Sequence, residues 1–376
     1  MTINADTLIN LFLNPSQVAQ CSSNELSDLV TIWRSQKILA RMCYRIIEAG
    51  VFEHLDAKTQ RHLLNAKQIA DRQKEQVFTE AAELARILSQ SVGYLIFLKG
   101  AAYSMCAGKL GRGRIYSDID VLVPKADIDT CEQRLAVAGW IGQEINDYDD
   151  KYYRKWAHEI PPMAHGHRGT IIDVHHNIVP VISKSFNDLH ILLENTEEIM
   201  PDIHVLSAPA QLVHAAIHLF RNEEYQGAFR DITDIYLMLE GQDEQFWLDA
   251  FSLAKRIDFL TELQLAVRYC ERFFKLKPPA KINLEFAPEH NQAFNDFIFN
   301  SVLLPQHSLM TGSHTPLKHF LAMMRGHIVK MPVHILLYHI IVKSYRSVAQ
   351  SIFGQHVFTP KDPHPPLAGQ NKEHLK

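Results

Sequence analysis

The chain has 376 residues, 47% hydrophobic and 21% charged, a length and composition that suit a soluble globular protein with a sizeable core in two or three domains. Its 38 basic and 42 acidic residues leave a formal charge of −4, which excludes a general polyanion-binding surface and allows only a local basic patch. Five cysteines (Cys21, Cys43, Cys106, Cys131 and Cys270) show no CxxC spacing and are odd in number, so free thiols in a reducing cytoplasm are expected.

The first fourteen residues carry an acid and no base before their apolar part, and read as something other than a secretory signal. From about Leu26 to Gln90 apolar residues recur at helical spacing, as in Leu29, Ile32, Trp33, Ile38, Leu39, Met42 and Ile46. A stop is expected at Ala49-Gly50, with a second helix over 66–89. At Gly93 the period changes. Tyr94 to Leu98 is a short continuous apolar run, the pattern of a strand buried on both faces, and it ends at Lys99-Gly100, where a helix over 101–106 begins. A second strand is expected over 118–123, stopped by Pro124. A helix over 127–139 follows, with Leu135 and Val137 inside, and a third strand covers 170–175 after a polar loop holding His158, Glu159, His165 and His167. This alternation indicates a small mixed α/β unit.

After Ser207 the chain reads as helical again, with stripes Leu212, Val213, Ala216, Ile217, Phe220 and Ile232, Ile235, Tyr236, Leu239, then helices over 245–274 and 316–353. The charge-free run Met331 to Val342 is shorter than the roughly 20 residues a spanning helix needs. It reads either as a buried or dimer-forming helix or, given Lys330, Lys343 and Arg346 at its flanks, as one lying on a membrane surface. The proline- and charge-rich stretch 359–376 is expected to be a disordered tail.

The chemistry concentrates in the middle. In Ser117-Asp118-Ile119-Asp120-Val121 the strand alternation turns Asp118 and Asp120 to one face and Ile119 and Val121 into the core. Two like charges so placed call for a cation, and magnesium suits an all-oxygen site. Asp173, between Ile172 and Val174, is a candidate third carboxylate on a neighbouring strand. Three converging carboxylates suit two divalent cations roughly 3.5–4 Å apart that clamp a triphosphate and an attacking oxygen. Gly100, with no side chain, leaves room for a phosphate to approach the backbone, and Lys109, Arg112 and Arg114 add positive charge, Arg114 being the best placed.

These elements resemble the DNA polymerase beta-like nucleotidyltransferase superfamily. Within it they are closest to the uncharacterised bacterial nucleotidyltransferases marked by a Leu-Lys-Gly turn, an arginine shortly before Ser-Asp-Ile-Asp-Leu-Leu-Val, and a later acid followed by histidine. Here those elements are Leu98-Lys99-Gly100, Arg114, Ser117 to Val123, and Asp173-Val174-His175, with His158 and Pro161-Pro162 ahead of the third carboxylate. The resemblance covers roughly residues 90–240 and implies an α+β fold with a small mixed-sheet, polymerase beta-like catalytic domain (91–206), to which the helical periodicity adds an N-terminal helical segment (1–90) and a C-terminal helical domain (207–358). It implies an enzyme that moves an NMP from an NTP to an acceptor and releases pyrophosphate. Asp118, Asp120 and Asp173 would be catalytic and hold two Mg2+ ions, or Mn2+. Lys99, Gly100, Ala101, Arg114 and Ser117 would bind the nucleotide, and His158, His175, Arg230 and Asp231 would contact substrate. Most of the superfamily has Gly-Ser at the turn. Here Ala101 removes that hydroxyl, so phosphate grip falls to the backbone, Lys99 or the Arg112/Arg114 loop.

Near-neutral charge favours a small-molecule or protein acceptor over a long nucleic acid; the base preference and the oligomeric state are not encoded in any motif. Two other classes remain open. His165 and His167 with Asp173, His175 and His176 form a candidate zinc or manganese hydrolase site, although Pro162 breaks the His-Glu-x-x-His spacing. The same fold can also hold a nucleotide without turning it over. His214 and His218, four apart on one helix face, read as packing or surface residues, and Arg230, Asp231 and Asp234 as a surface ion-pair set.

Overall fold

The computed structural model describes residues 3–106, 108–143, 145, 147–183, 189–283, 292–311 and 316–353. The expected tail at 359–376 lies outside the described residues. The front of the chain forms helices α1 (Ala5–Leu13), α2 (Ser23–Ser35), α3 (Leu39–Glu48) and α4 (Ala57–Leu88). The segment beginning at Leu26 is thus two helices, because Lys37 takes a left-handed φ of 56° between them. Ser22 and Glu25 close α2 with a reciprocal capping box. The α3 stop falls at Gly50 (φ 72°), as the sequence indicates. The helix expected over 66–89 starts nine residues earlier. Asp56 caps it by accepting from the Lys58 and Thr59 amides, giving a single 32-residue rod.

A seven-stranded mixed sheet follows, in the order β3-β4-β5-β2-β1-β7-β6. Its strands are β1 (Ile96–Leu98), β2 (Ile119–Leu122), β3 (Trp140–Gly142), β4 (Met163–His165), β5 (Ile171–His175), β6 (Thr196–Met200) and β7 (Ile203–Leu206). The three strands read from sequence, β1, β2 and β5, are the central ones and lie side by side. β3 and β4 are three residues each, too short for any periodicity to register, and β6 and β7 form a hairpin that turns through Asp202 at φ 62°. β1 pairs antiparallel with β2, and β2 runs parallel to β5 with Asp120 opposite Asp173 and Leu122 opposite His175. Helices α5 (Lys99–Met105), α6 (Ile128–Val137) and α7 (Asp147–Trp156) are inserted between strands. Leu135 is buried as expected, but Val137 is 90% exposed, because α6 ends there and turns into Gly139 at φ 94°.

The rest is helical: α8 (His190–Leu193), α9 (Ala208–Arg221), α10 (Ala228–Leu239), α11 (Glu244–Arg256), α12 (Leu260–Phe274), α13 (Ala280–Asn283), α14 (Gln292–Val302), α15 (Pro316–Lys330) and α16 (Val333–Phe353). The spans expected over 245–274 and 316–353 are each two helices, broken at Asp258 (φ 62°) and at Pro332. Both stripes read on α9 and α10 are buried.

One apolar core runs from Ile3 in the front segment through the sheet to Ala322 in α15. A buried ion group stitches the parts together. Asp234 of α10, 1% exposed, has the Arg114 Nε 2.7 Å from one carboxylate oxygen and the Arg41 Nη2 2.6 Å from the other. Arg41 also donates to Thr233 Oγ1 (3.2 Å) and to the Leu110 carbonyl (3.1 Å). The loop carrying Arg114 lies against α3 so closely that a Cβ on Gly113 would stand 2.5 Å from the Arg41 backbone nitrogen. The expected surface ion pair at Asp234 is therefore an interior one, formed because α3, the 106–115 loop and α10 bury it from three sides.

Candidate active site

Asp118 and Asp120 stand at the start of β2, and the β2–β5 register sets Asp173 beside Asp120. All four residues of β2 are buried, including Asp120 at 3% exposure, so the carboxylate face is sheltered rather than solvated. Burial alone would push Asp120 up. The Lys99 ammonium, 2.6 Å from Oδ1, and the His175 Nε2, 3.0 Å from the same oxygen, instead hold it well below the usual carboxylate range. Asp118 is raised by burial and by Asp120. Asp173 is pushed up to about 7 by burial and then by the charges of Asp120, Glu159 and Asp118. Its Oδ1 is buried with no hydrogen-bond partner.

That electrostatic pattern bears on whether a metal fits. Three carboxylates share a sheltered spot, two are raised by burial and by mutual repulsion, and one buried oxygen has nothing to bond. A divalent cation among oxygen donors answers all three features, so the donor set fits magnesium or manganese. We expect Asp173→Asn to raise the melting temperature of the metal-free protein above neutral pH by at least about 2 °C. The same substitution should shrink the stabilisation given by added Mg2+. A thermal melt with and without the ion checks both, and a lowered metal-free melting point would contradict the repulsion described here.

The turn after β1 leads directly from the strand into α5, as the sequence indicates. Lys99 takes a left-handed conformation there (φ 47°). Gly100 lacks a side chain where a Cβ would come 3.0 Å from Tyr116 Cβ and 3.5 Å from the Arg114 guanidinium, so the space it opens holds these two residues. Tyr116 is fixed in turn by α4, whose Gln73 donates to its carbonyl and accepts from its amide. Ala101 is fully buried in α5.

A cavity of about 150 Å³ opens over Asp118 and Asp120, with Lys99, Ser117, Arg230 and Asp231 also in its wall; Asp173 does not line it. Arg230 pairs with Asp231 at 2.7 Å and lies close enough to Asp118 to offset a small part of its rise. Arg114 also lines the cavity, with its Nε committed to Asp234. Arg112 and Lys109 sit apart from the cavity wall, paired with Glu48 (2.5 Å) and Glu240 (2.7 Å). A second cavity, about 330 Å³, adjoins through Lys99 and His218, which line both, and is bounded by His158, Glu159, Arg221 and Lys330.

Sequence reasoning missed Glu159, Tyr116 and His218. Glu159 reaches the site through a lone backbone bridge to His175, with its Oε2 3.3 Å from His175 Nε2 and 3.9 Å from His158 Nε2. The histidine pair on α9 carried a readable signal. His214 and His218 are both depressed by burial and by the Lys99 charge, His214 to about 3, and so remain neutral donors or acceptors under the site. The expected cluster of His165 and His167 with Asp173 does not form: the His165 ring packs 5.3 Å from Trp140 and its Nδ1 accepts from the His167 and Arg168 amides. Among the described residues, the histidine-containing group with metal-ligand spacing is His158, Glu159 and His175, whose donor atoms lie within 4.8 Å of one another.

Residues 22–275 match the family described as "Uncharacterised nucleotidyltransferase". No curated protein matches the chain. The matched span begins in α2 and ends just past α12, so it includes most of the front helices, all of the sheet and both sides of the Arg41–Asp234–Arg114 group.

Proposed function

The chain belongs to this nucleotidyltransferase family, and from that premise we propose that it is a magnesium-dependent enzyme moving an NMP from an NTP to an acceptor. In this reaction an acceptor oxygen bonds to the α-phosphorus, the bond from that phosphorus to the β-phosphate bridging oxygen breaks, and pyrophosphate leaves. The observation that carries the reading is the set Asp118, Asp120 and Asp173 on adjacent parallel strands, with a partnerless buried Asp173 oxygen, beside a cavity walled by Lys99 and Arg230.

Asp118, Asp120 and Asp173 would hold two Mg2+ ions, which when bound supply neutralisation of the triphosphate charge and acidify the acceptor hydroxyl. Lys99 and His175 keep Asp120 ionised, so this carboxylate stands in its ligating form at any physiological pH. Asp173 Oδ1 is the group in this chain best suited to orient the acceptor hydroxyl or take its proton. Lys99, Ser117, Arg114 and Arg230 line the smaller cavity, where a phosphate chain would find positive charge, and Gly100 lies in the same wall. The adjoining cavity has the volume of a small-molecule site and holds His158 and Glu159 beside His175, which supports a small acceptor entering from that side.

A screen of the four NTPs for Mg2+-dependent pyrophosphate release in the presence of a cell extract tests the proposal. Release that needs both the ion and extract supports it. NTP bound but never consumed would make the protein a binding module. Turnover without NTP, stimulated by zinc or manganese, would favour a hydrolase centred on His158, Glu159 and His175, the group that supports this second reading.

A further inference from the structure

Fourteen of the twenty-two large apolar side chains exposed among the described residues lie beyond residue 290, so this exposure is concentrated rather than scattered. On α16, Leu337, Ile341, Tyr345, Val348 and Ile352 follow at steps of four, four, three and four, which places them on one face, and each is between 54% and 68% exposed. The opposite side of α16 is anchored: the His339 ring lies 4.7 Å from Tyr152 and 5.2 Å from Trp156 of α7, and Tyr148 bonds its Nδ1 at 2.5 Å. The outward stripe is therefore a consequence of how the helix is docked. Helix α15 continues the apolar surface with Leu317, Phe320 and Ile328, each more than half exposed. From 316 to 353 the chain carries five basic residues, Lys318, Arg325, Lys330, Lys343 and Arg346, and no acidic one.

We propose that α15 and α16 form a docking surface for an anionic lipid bilayer, on which the apolar stripe enters the acyl boundary and Lys318 and Lys343 meet the headgroups, Lys330 being paired with Glu223 and Arg325 bonded to the Phe220 carbonyl. No helix among the described residues is long and apolar enough to cross a membrane, so the contact is peripheral. The charge selects the occupant. An acid-free basic segment is attracted to anionic lipid, whereas two copies packed through it would set like charges against each other.

The test is co-flotation of the full chain with vesicles of phosphatidylcholine alone and of phosphatidylcholine mixed with phosphatidylglycerol, together with light scattering of the free protein. Flotation with the anionic vesicles only, weakened by salt, is expected. Ile341→Asp/Val348→Asp and Lys318→Glu/Lys343→Glu should each lower the bound fraction about tenfold at an unchanged melting temperature. Absence of flotation, equal flotation on neutral vesicles, or double variants that bind like the parent would overturn the proposal. So would a dimer that dissociates on Ile341→Asp/Val348→Asp without any vesicle binding, which would give the face to a second copy. None of these outcomes depends on the nucleotidyl-transfer reading.

Discussion

Asp120→Asn is expected to lower nucleotidyl transfer by at least about a thousandfold, the scale seen when one member of a catalytic group is removed. Asparagine keeps the shape and one oxygen but has no charge. It would leave the Lys99 ammonium, now 2.6 Å from a carboxylate, facing a neutral amide, and would remove the one carboxylate of the three that is held fully ionised. The remaining pair, Asp118 and Asp173, are the two that burial and repulsion raise, so the variant loses the strongest anion of the set. Steady-state transfer assays measure the effect, with circular dichroism to establish that the sheet is intact. A folded Asp120→Asn protein with activity near that of the parent would remove these carboxylates from the chemistry.

Asp234→Ala should cause the largest loss of stability, about 3–5 kcal/mol, because it leaves two buried guanidinium groups without their shared counter-charge. Arg41 and Arg114 are 2% and 5% exposed, and neither can reach water without moving α3 or the loop that precedes β2. The melting temperature should fall by roughly 4–6 °C on that basis. Glu48→Ala, which breaks the exposed pair with Arg112, serves as the contrast and should cost no more than about 1 kcal/mol. Since Arg114 also walls the smaller cavity, Asp234→Ala is expected, on the proposed function, to weaken NTP binding even at temperatures where the protein stays folded. A melting point within a degree or two of the parent would mean that the three parts of the chain are not joined through this group.

The three central strands were legible because their signals are local. The Leu98-Lys99-Gly100 turn, the Asp-x-Asp alternation and Ile172-Asp173-Val174 need only a few neighbours to be read, and β1, β2 and β5 lie together in the sheet centre as those patterns suggest. The contributions of Glu159 and Asp234 were illegible for the opposite reason. Glu159 enters by a single backbone bridge, and Asp234 is paired across 120 residues with Arg114 and across 193 with Arg41, separations over which no periodicity carries information. Gly100 is an intermediate case. The sequence marks a special backbone position there, but only the packing of Tyr116 and Arg114 reveals which group needs the missing Cβ. The apolar run at 331–342 shows a further limit, since hydrophobicity alone did not distinguish a helix facing the core from one facing outward. The docking of His339 against α7 decides it.

Nucleotidyl transfer is distinguished most directly by which phosphate moves. Incubation of the protein with Mg2+, cell extract and either α-labelled or γ-labelled NTP, with Asp120→Asn in parallel, separates the outcomes in one experiment. The α label is predicted to pass to an acceptor while the γ label appears in pyrophosphate, and both should vanish with Asp120→Asn. Transfer of the γ label to an acceptor, or α-label transfer that survives Asp120→Asn, would contradict it.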